Sequence, residues 1–330
     1  MRAALLISGG NKYMRIAVLD AATLGNDLNL TLLSRFGSVE CYPLTLPEQV
    51  KQRLADVECA IVNKVRLDRS TIGIGDAPQL KLICIAATGY DNVDISYMKN
   101  RGIAVCNVVG YSTDSVAQIT LSMVLSLASH LKEYREFVAS GSYSAAGAPN
   151  RLEPVYHELS GKTWGVVGLG NIGRKVAAVA AALGCRVLAC KRTPDPSFQC
   201  ADIDELCRTS DIITVHTPLT DETRGLINAE RIASMKPGAI VVNSARGAVW
   251  DEDAVCSAVL SGKLGGIGAD VYSTEPFDSG SPFWRVRELP NVCLTPHMAW
   301  GAYEARVRCL EDIAMSIEAF QKGILRSRLV

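Results

Sequence analysis

GKTWGVVGLGNIGRKVAAVAAAL, residues 161–183, is the stretch from which the rest of the chain is read. Residues 164–167 are a short apolar run of the kind found in a parallel strand covered on both faces. Gly168, Gly170 and Gly173 follow at the G-x-G-x-x-G spacing, and Ile172, Val176, Val179 and Leu183 then recur at helical intervals before Gly184, a residue suited to a left-handed helix cap. Each glycine has a separate task. Gly168 permits a tight turn, Gly170 leaves room for a pyrophosphate against the backbone, and Gly173 lets helix pack closely on strand. The helix start at Asn171 and Ile172 then offers free N–H groups to the anion. An isolated pattern of this kind also describes a glycine-rich surface turn. Here a second strand, residues 186–190, completes the order strand, turn, helix, strand, so the stretch reads as a dinucleotide-binding unit.

The chain has 330 residues, 48% of them hydrophobic, which is enough for two domains with cores of their own. Lysine plus arginine and aspartate plus glutamate both number 34, so no net field favours nucleic acid or an acidic membrane and a small-molecule partner is expected. The 11 cysteines contain no paired C-x-x-C and the histidines number only 4. Neither a disulfide framework nor a metal site is expected; the thiols read as small apolar filler in a reducing cytoplasm. No uncharged apolar run reaches membrane-spanning length, and residues 1–13 read as an appended start, without the apolar core of a secretory signal.

Around the fingerprint the chain alternates strands and helices. Strands are expected at 15–19, 39–42, 59–63, 82–86 and 103–107, with helices at 28–36 and around 50–54, making an α/β unit of parallel type. The turn at 87–94, ATGYDNVD, can present N–H groups to an anion or be a plain tight turn. Ser115 and Gln118 fit a capping box, and the helix from there to about 131 is apolar nearly all round, as suits a helix crossing between domains. Residues 139–149 read as an arm or linker. Beyond the fingerprint, strands are expected at 211–216, 239–243, 266–270 and 292–294, and helices at 228–234, 251–260 and 301–320. Return of that last helix to the first domain makes the first domain discontinuous: 14–107 with 296–330 for substrate, 108–295 for dinucleotide.

Arg246, Glu275 and His297 each fall just past the end of an expected strand, where open parallel sheets bind ligands. A guanidinium there can hold a carboxylate and a neighbouring carbonyl through its forked donors, or serve as a structural ion pair. Histidine is the side chain best matched to proton transfer near neutral pH, and a carboxylate beside it would fix its tautomer. Glu275 can do so only if the two loops converge.

These residues lie in motifs that resemble the D-2-hydroxyacid dehydrogenases: ATGYDNVD (87–94), NVVGYSTDSVA (107–117), GVVGLGNIG (165–173), HTPLTDETRGLIN (216–228), NSARG (243–247), DVYSTEP (270–276) and LTPH (294–297). The resemblance runs from about residue 14 to 323. It implies two Rossmann-like parallel-sheet domains, the substrate domain flavodoxin-like. It implies Arg246 as the ligand of the substrate carboxylate and carbonyl, Glu275 as support for the histidine, and His297 as acid/base. It further implies substrate contacts from Thr88 and Gly89, cofactor contacts from His216, Thr217, Pro218, Thr223, Ser244, Ala245, Asp270 and Val116, closure of the cleft around the ligands, and a homodimer formed through the nucleotide domain. Residues 62–67, VNKVRL, and 296–306, PHMAWGAYEAR, look most like the glycerate dehydrogenase and hydroxypyruvate reductase branch. Reduction of a small 2-oxo acid to the D-2-hydroxy acid is therefore expected. Trp300 either closes the pocket near His297 or simply packs.

One stretch departs from the NAD pattern, which puts an acid at the end of the second strand for the ribose 2′-OH. Here Cys190 is followed by Lys191, Arg192 and Thr193, which suit a 2′-phosphate and point to NADP; NAD is the alternative, with a solvated basic turn and Asp195 as a weaker ribose ligand. Two other readings stay open: a reductase of broader 2-oxo-acid range, and a dinucleotide-sensing binding protein of the co-repressor type that resembles this family.

Overall fold

The computed structural model describes residues 13–193 and 195–330, so the expected appended start lies, apart from Tyr13, outside the described residues. The chain divides into two compact units, one running to Tyr111 and resuming over Tyr303–Val330, the other spanning Ser112–Ala302.

The first unit holds β1 (Met14–Val18), β2 (Gly37–Cys41), α1 (Pro47–Arg53), β3 (Cys59–Val62), β4 (Leu82–Ile85), α2 (Ile95–Asn100) and β5 (Ala104–Asn107). Its strands are all parallel in the order β2-β1-β3-β4-β5. β3, β4 and β5 are buried at every residue, as two-sided cover requires. The outer edge of β5 is covered by the tail, where Leu329 N–H donates to Val105 O at 2.8 Å. At the end of β1 the carboxylate of Asp20, 2% exposed, accepts N–H groups of Asn63, Lys64 and Val65 at 2.5–3.1 Å and so shapes the loop after β3. Burial raises its pKa against those bonds.

The second unit begins with α3 (Thr113–Ala128), α4 (Leu131–Ala139) and α5 (Ser142–Ala145). β6 (Thr163–Val167), α6 (Asn171–Ala182), β7 (Arg186–Cys190), β8 (Gln199–Cys200), α7 (Ile203–Thr209), β9 (Ile212–Val215), α8 (Ala229–Ser234), β10 (Ala239–Asn243), α9 (Glu252–Leu260), β11 (Leu264–Ala269) and β12 (Val292–Leu294) follow. Its seven strands run parallel in the order β12-β11-β10-β9-β6-β7-β8. The order reverses beside β6, the strand that leads into the glycine turn. One face of this sheet is closed by α3 and α6 around Trp164, Met123, Val124 and Val176, the other by an aliphatic and aromatic core that includes Trp250, Tyr272 and Phe283. α10 (Tyr303–Gln321) belongs to the first unit, where it lies on β4 and buries Cys309, Ile313 and Ile317 on its inner face.

Several local expectations are corrected. The helix expected at 28–36 is a 3-10 helix, Leu30–Arg35, whose start is held by Asn29 accepting from Thr31 N–H at 3.0 Å. Ser115 does not cap the next helix: α3 begins at Thr113, and the Ser115 hydroxyl instead donates to Ala299 O and accepts from Ala302 N–H. That helix stops at Ala128 because His130 takes a left-handed backbone, φ 52°, and the chain restarts as α4. α3 also keeps an exposed side at Gln118, Ser122 and Leu125, so it is not apolar all round. The unforeseen α2 and α7 carry aspartate caps, Asp94 accepting from Tyr97 N–H at 2.9 Å and Asp202 from Glu205 N–H at 2.7 Å. No helix among the described residues is long and apolar enough to cross a membrane.

Candidate active site

The glycine turn is built for an anion. Gly168 has φ 96°, and a Cβ there would come within 2.8 Å of the His216 carbonyl carbon. At Gly173 a Cβ would sit 2.0 Å from Gly168 O, so only glycine allows α6 to approach β6 this closely. Gly170 differs, because a Cβ there would meet nothing within 4 Å. No protein packing demands a glycine at that position; the open space lies over the start of α6, whose N-cap, Gly170, supplies no side chain to the first N–H groups of Asn171, Ile172 and Gly173. A dinucleotide pyrophosphate fits this cradle.

Around the turn, Lys191, Arg192 and Thr193 are exposed just past β7. Asp195 is committed elsewhere: its carboxylate accepts Ser197 N–H at 3.0 Å and is paired with Arg174 of α6, and these bonds lower its pKa. Thr217 and Pro218 follow β9, and the Thr223 hydroxyl ties that loop by donating to Pro218 O at 2.7 Å. Val116 is buried in α3, Ser244 shares a hydroxyl bond with Thr120 of α3 at 2.8 Å, and Ala245 packs on the core.

His216 closes β9 with both ring nitrogens buried and without a partner among the described residues. Burial pushes its pKa down to about 3. The unfolded chain, titrating near 6.5, binds the extra proton first, so the contribution of His216 to stability is complete above pH 6.5 and is lost as pH falls toward 3. His216→Asn is expected to flatten the unfolding free energy against pH in that window by up to about 1.4 kcal/mol per pH unit, measured by denaturant titration of both proteins. Equal slopes would contradict this.

Arg246, Glu275 and His297 all stand in the second unit, past the ends of β10, β11 and β12. Buried Asn243 shapes the first turn, donating through Nδ2 to Arg246 O at 2.9 Å and accepting Ala245 N–H at 3.0 Å. Glu275 and His297 meet: Oε2 and Nδ1 are 2.6 Å apart, with the side chains 31% and 23% exposed. An ionised Glu275 accepts the proton on Nδ1, which leaves Nε2 as the nitrogen that exchanges a proton with a ligand.

The loop carrying His297 is held from below. Asp270, 1% exposed, accepts the Thr295 hydroxyl at 2.6 Å and the N–H groups of Met298 and Ala299 at 2.8 and 2.9 Å. His297 itself has φ 50°, a conformation that costs a non-glycine residue about 1–3 kcal/mol and persists here under those bonds. Trp300 Nε1 donates to His297 O at 2.9 Å, an anchoring contact that the sequence reading left open between pocket and packing roles. In the first unit, Thr88 donates its hydroxyl to Val108 O at 2.8 Å and accepts Asn107 Nδ2 on its carbonyl at 2.7 Å, with Gly89 next in the turn. Sequence reasoning assigned no role to Asp20 or Asn243; Asp20 follows a strand as a lone polar residue between apolar ones, and Asn243 ends a strand as its first polar residue, which was the available signal. Among the described residues no group of His, Cys, Asp and Glu could hold a metal ion, and all eleven cysteines are free.

Residues 121–299 match the family described as D-isomer specific 2-hydroxyacid dehydrogenase, NAD binding domain. A hydroxypyruvate reductase of Blautia hydrogenotrophica is 34% identical over 319 residues, 94% of this chain and 98% of that protein. A glycerate dehydrogenase of Methylorubrum extorquens is 35% identical over 277 residues, 84% and 87% of the two chains. Among solved structures, the D-lactate dehydrogenase of Aquifex aeolicus complexed with NAD and lactic acid superposes with a TM-score of 0.82 at 30% identity, covering 94% of this chain and 96% of that one. With more than half its length matching the family and relatives of this similarity along nearly all of it, the chain belongs to the D-isomer-specific 2-hydroxyacid dehydrogenases, oxidoreductases that use a nicotinamide cofactor.

Proposed function

We propose that this enzyme reduces a small 2-oxo acid of the hydroxypyruvate or glyoxylate type to the D-2-hydroxy acid. The observation that carries this reading is the 2.6 Å contact of Glu275 with His297 in the same unit as Arg246. The names of the Blautia and Methylorubrum relatives support the choice of substrate.

Bound reduced nicotinamide supplies the hydride. Arg246 binds the substrate carboxylate and the oxygen of the reacting carbonyl through its forked N–H groups. The protonated imidazole of His297 donates from Nε2 to that oxygen as negative charge develops on it, and Glu275 stabilises the imidazolium and fixes its orientation. Two electrons arrive with the hydride and one proton with His297, giving the hydroxyl product; the reverse reaction returns the proton to Nε2.

The preferred cofactor is NADPH. Its support is the pairing of Asp195 with Arg174, which commits an acid otherwise suited to a ribose diol, together with the exposed Lys191, Arg192 and Thr193. Initial rates with hydroxypyruvate, glyoxylate, pyruvate and phenylpyruvate, each with NADPH and NADH, test both parts. The two small polar acids and NADPH are expected to give the highest kcat/KM, and Lys191→Ser or Arg192→Ser to lower kcat/KM for NADPH about tenfold each. A preference for NADH would overturn the cofactor assignment; a preference for phenylpyruvate would overturn the substrate class.

The working form is a cytoplasmic homodimer. The support for a dimer is the series of exposed apolar residues in the second unit, Leu125, Leu131, Val138, Tyr143, Val155 and Tyr156. Light scattering is expected to give twice the chain mass, and Leu131→Asp to shift it toward one; a monomeric wild type would contradict the assignment.

A further inference from the structure

Tyr272 lies in the second unit immediately after β11, three residues before Glu275, and is only 8% exposed. Its main-chain N–H donates to Glu275 Oε1 at 2.9 Å. Its phenol donates to Thr295 O at 2.9 Å, in the loop that carries His297 two residues later, with Ala269 O also near at 3.3 Å. Its backbone is also the surface on which the Arg246 loop rests, because a Cβ on Gly247 would lie 2.1 Å from the Tyr272 carbonyl carbon. One residue therefore touches the supports of all three proposed site residues.

The ring itself is fixed. It packs edge-on against Phe277 and Phe283, with centroids 4.7 and 5.2 Å away; those two rings pack on each other, and Phe283 lies in the core beside Trp250. A phenol held by a rigid core at a set distance from Thr295 O acts as a spacer. We infer that Tyr272 is a positioning residue, whose hydroxyl sets the reach of the His297 loop toward Glu275 while its own N–H sets the position of the Glu275 carboxylate. The two partners of the acid/base pair are thereby referred to a single fixed point, although they lie on separate loops. Reacting groups lose rate steeply when displaced by fractions of an ångström, so a single hydroxyl far from the ligand can govern turnover.

This inference rests on the proposed roles of Glu275 and His297, and its test has one readout that does not need turnover. Tyr272→Phe keeps the aromatic packing and removes only the hydroxyl. In protein labelled at histidine nitrogen, the downfield Nδ1–H resonance of His297, assigned by its loss in Glu275→Gln, reports the Glu275 contact directly. Tyr272→Phe is expected to broaden or abolish that resonance and to lower kcat about tenfold, the effect of losing one hydrogen bond, while KM for the dinucleotide changes less than about twofold. Val286→Ala, in the same core and without a bond to either loop, is the control for a merely structural effect: it is expected to lower Tm and leave the resonance in place. An unchanged resonance in Tyr272→Phe overturns the inference, as does an unchanged kcat in an active enzyme. Should the wild type turn over none of the 2-oxo acids, the functional reading fails, and the resonance alone then decides whether Tyr272 positions the pair.

Discussion

Replacing His297 by asparagine is expected to lower kcat for 2-oxo-acid reduction by about 100- to 10,000-fold, the usual contribution of a positioned general acid. Asparagine is the informative substitution. His297 has φ 50°, and asparagine accepts the left-handed region more readily than alanine, so the loop held by Asp270 can keep its path. An asparagine amide still donates a hydrogen bond but cannot deliver a proton. The loss should therefore appear in kcat, while dinucleotide affinity, measured by nicotinamide fluorescence, stays within about twofold because the glycine turn is untouched. Turnover near the wild-type value would remove His297 from the mechanism. Loss of dinucleotide binding would mean that the loop serves the cofactor instead.

Gly247→Ala is the second large effect. An added Cβ would lie 2.1 Å from Tyr272 C, 2.3 Å from Ser273 N and 2.5 Å from Tyr272 O, all of them backbone atoms that cannot rotate aside. The Arg246 turn and the Tyr272 segment must then separate. A shift of about 1 Å at this point moves Arg246 relative to Glu275 and His297, and misplacement of that size can cost about 100-fold in rate. Stability should fall by about 1–3 kcal/mol, as for overpacking of a filled interior. Steady-state kinetics and denaturant unfolding on the same preparation check both. Full activity with an added methyl would show that the two segments are free to part, contrary to their close packing around Gly247.

The dinucleotide unit was legible because its chemistry demands glycines at fixed intervals and each meets a local constraint: Gly168 a positive φ, Gly173 a contact, Gly170 an opening. Strands buried on both faces were legible as apolar runs. Less so were segments decided by a single side chain. Nothing in the periodicity of residues 115–131 marks His130 as the residue that ends α3, and residues 28–36 have the composition of an α-helix yet form a shorter 3-10 turn under the Asn29 cap. Arg246, Glu275 and His297 could be picked out as polar residues past strand ends. That Glu275 and His297 meet was implied by the family resemblance and not by spacing, since they are 22 residues apart on loops whose paths depend on Asp270 and Tyr272. Asp270 illustrates the point: its carboxylate accepts three bonds from the His297 loop, a tie that no spacing in the sequence displays.

Transfer of a hydride onto the carbonyl carbon of a small 2-oxo acid is tested most directly by isotope labelling. Hydroxypyruvate is reduced with NADPH deuterated at the transferring position, and the product is analysed by mass and by chirality. D-Glycerate carrying one deuterium on carbon 2 is the expected product. Product without the label, or the L isomer, would contradict the proposed reaction.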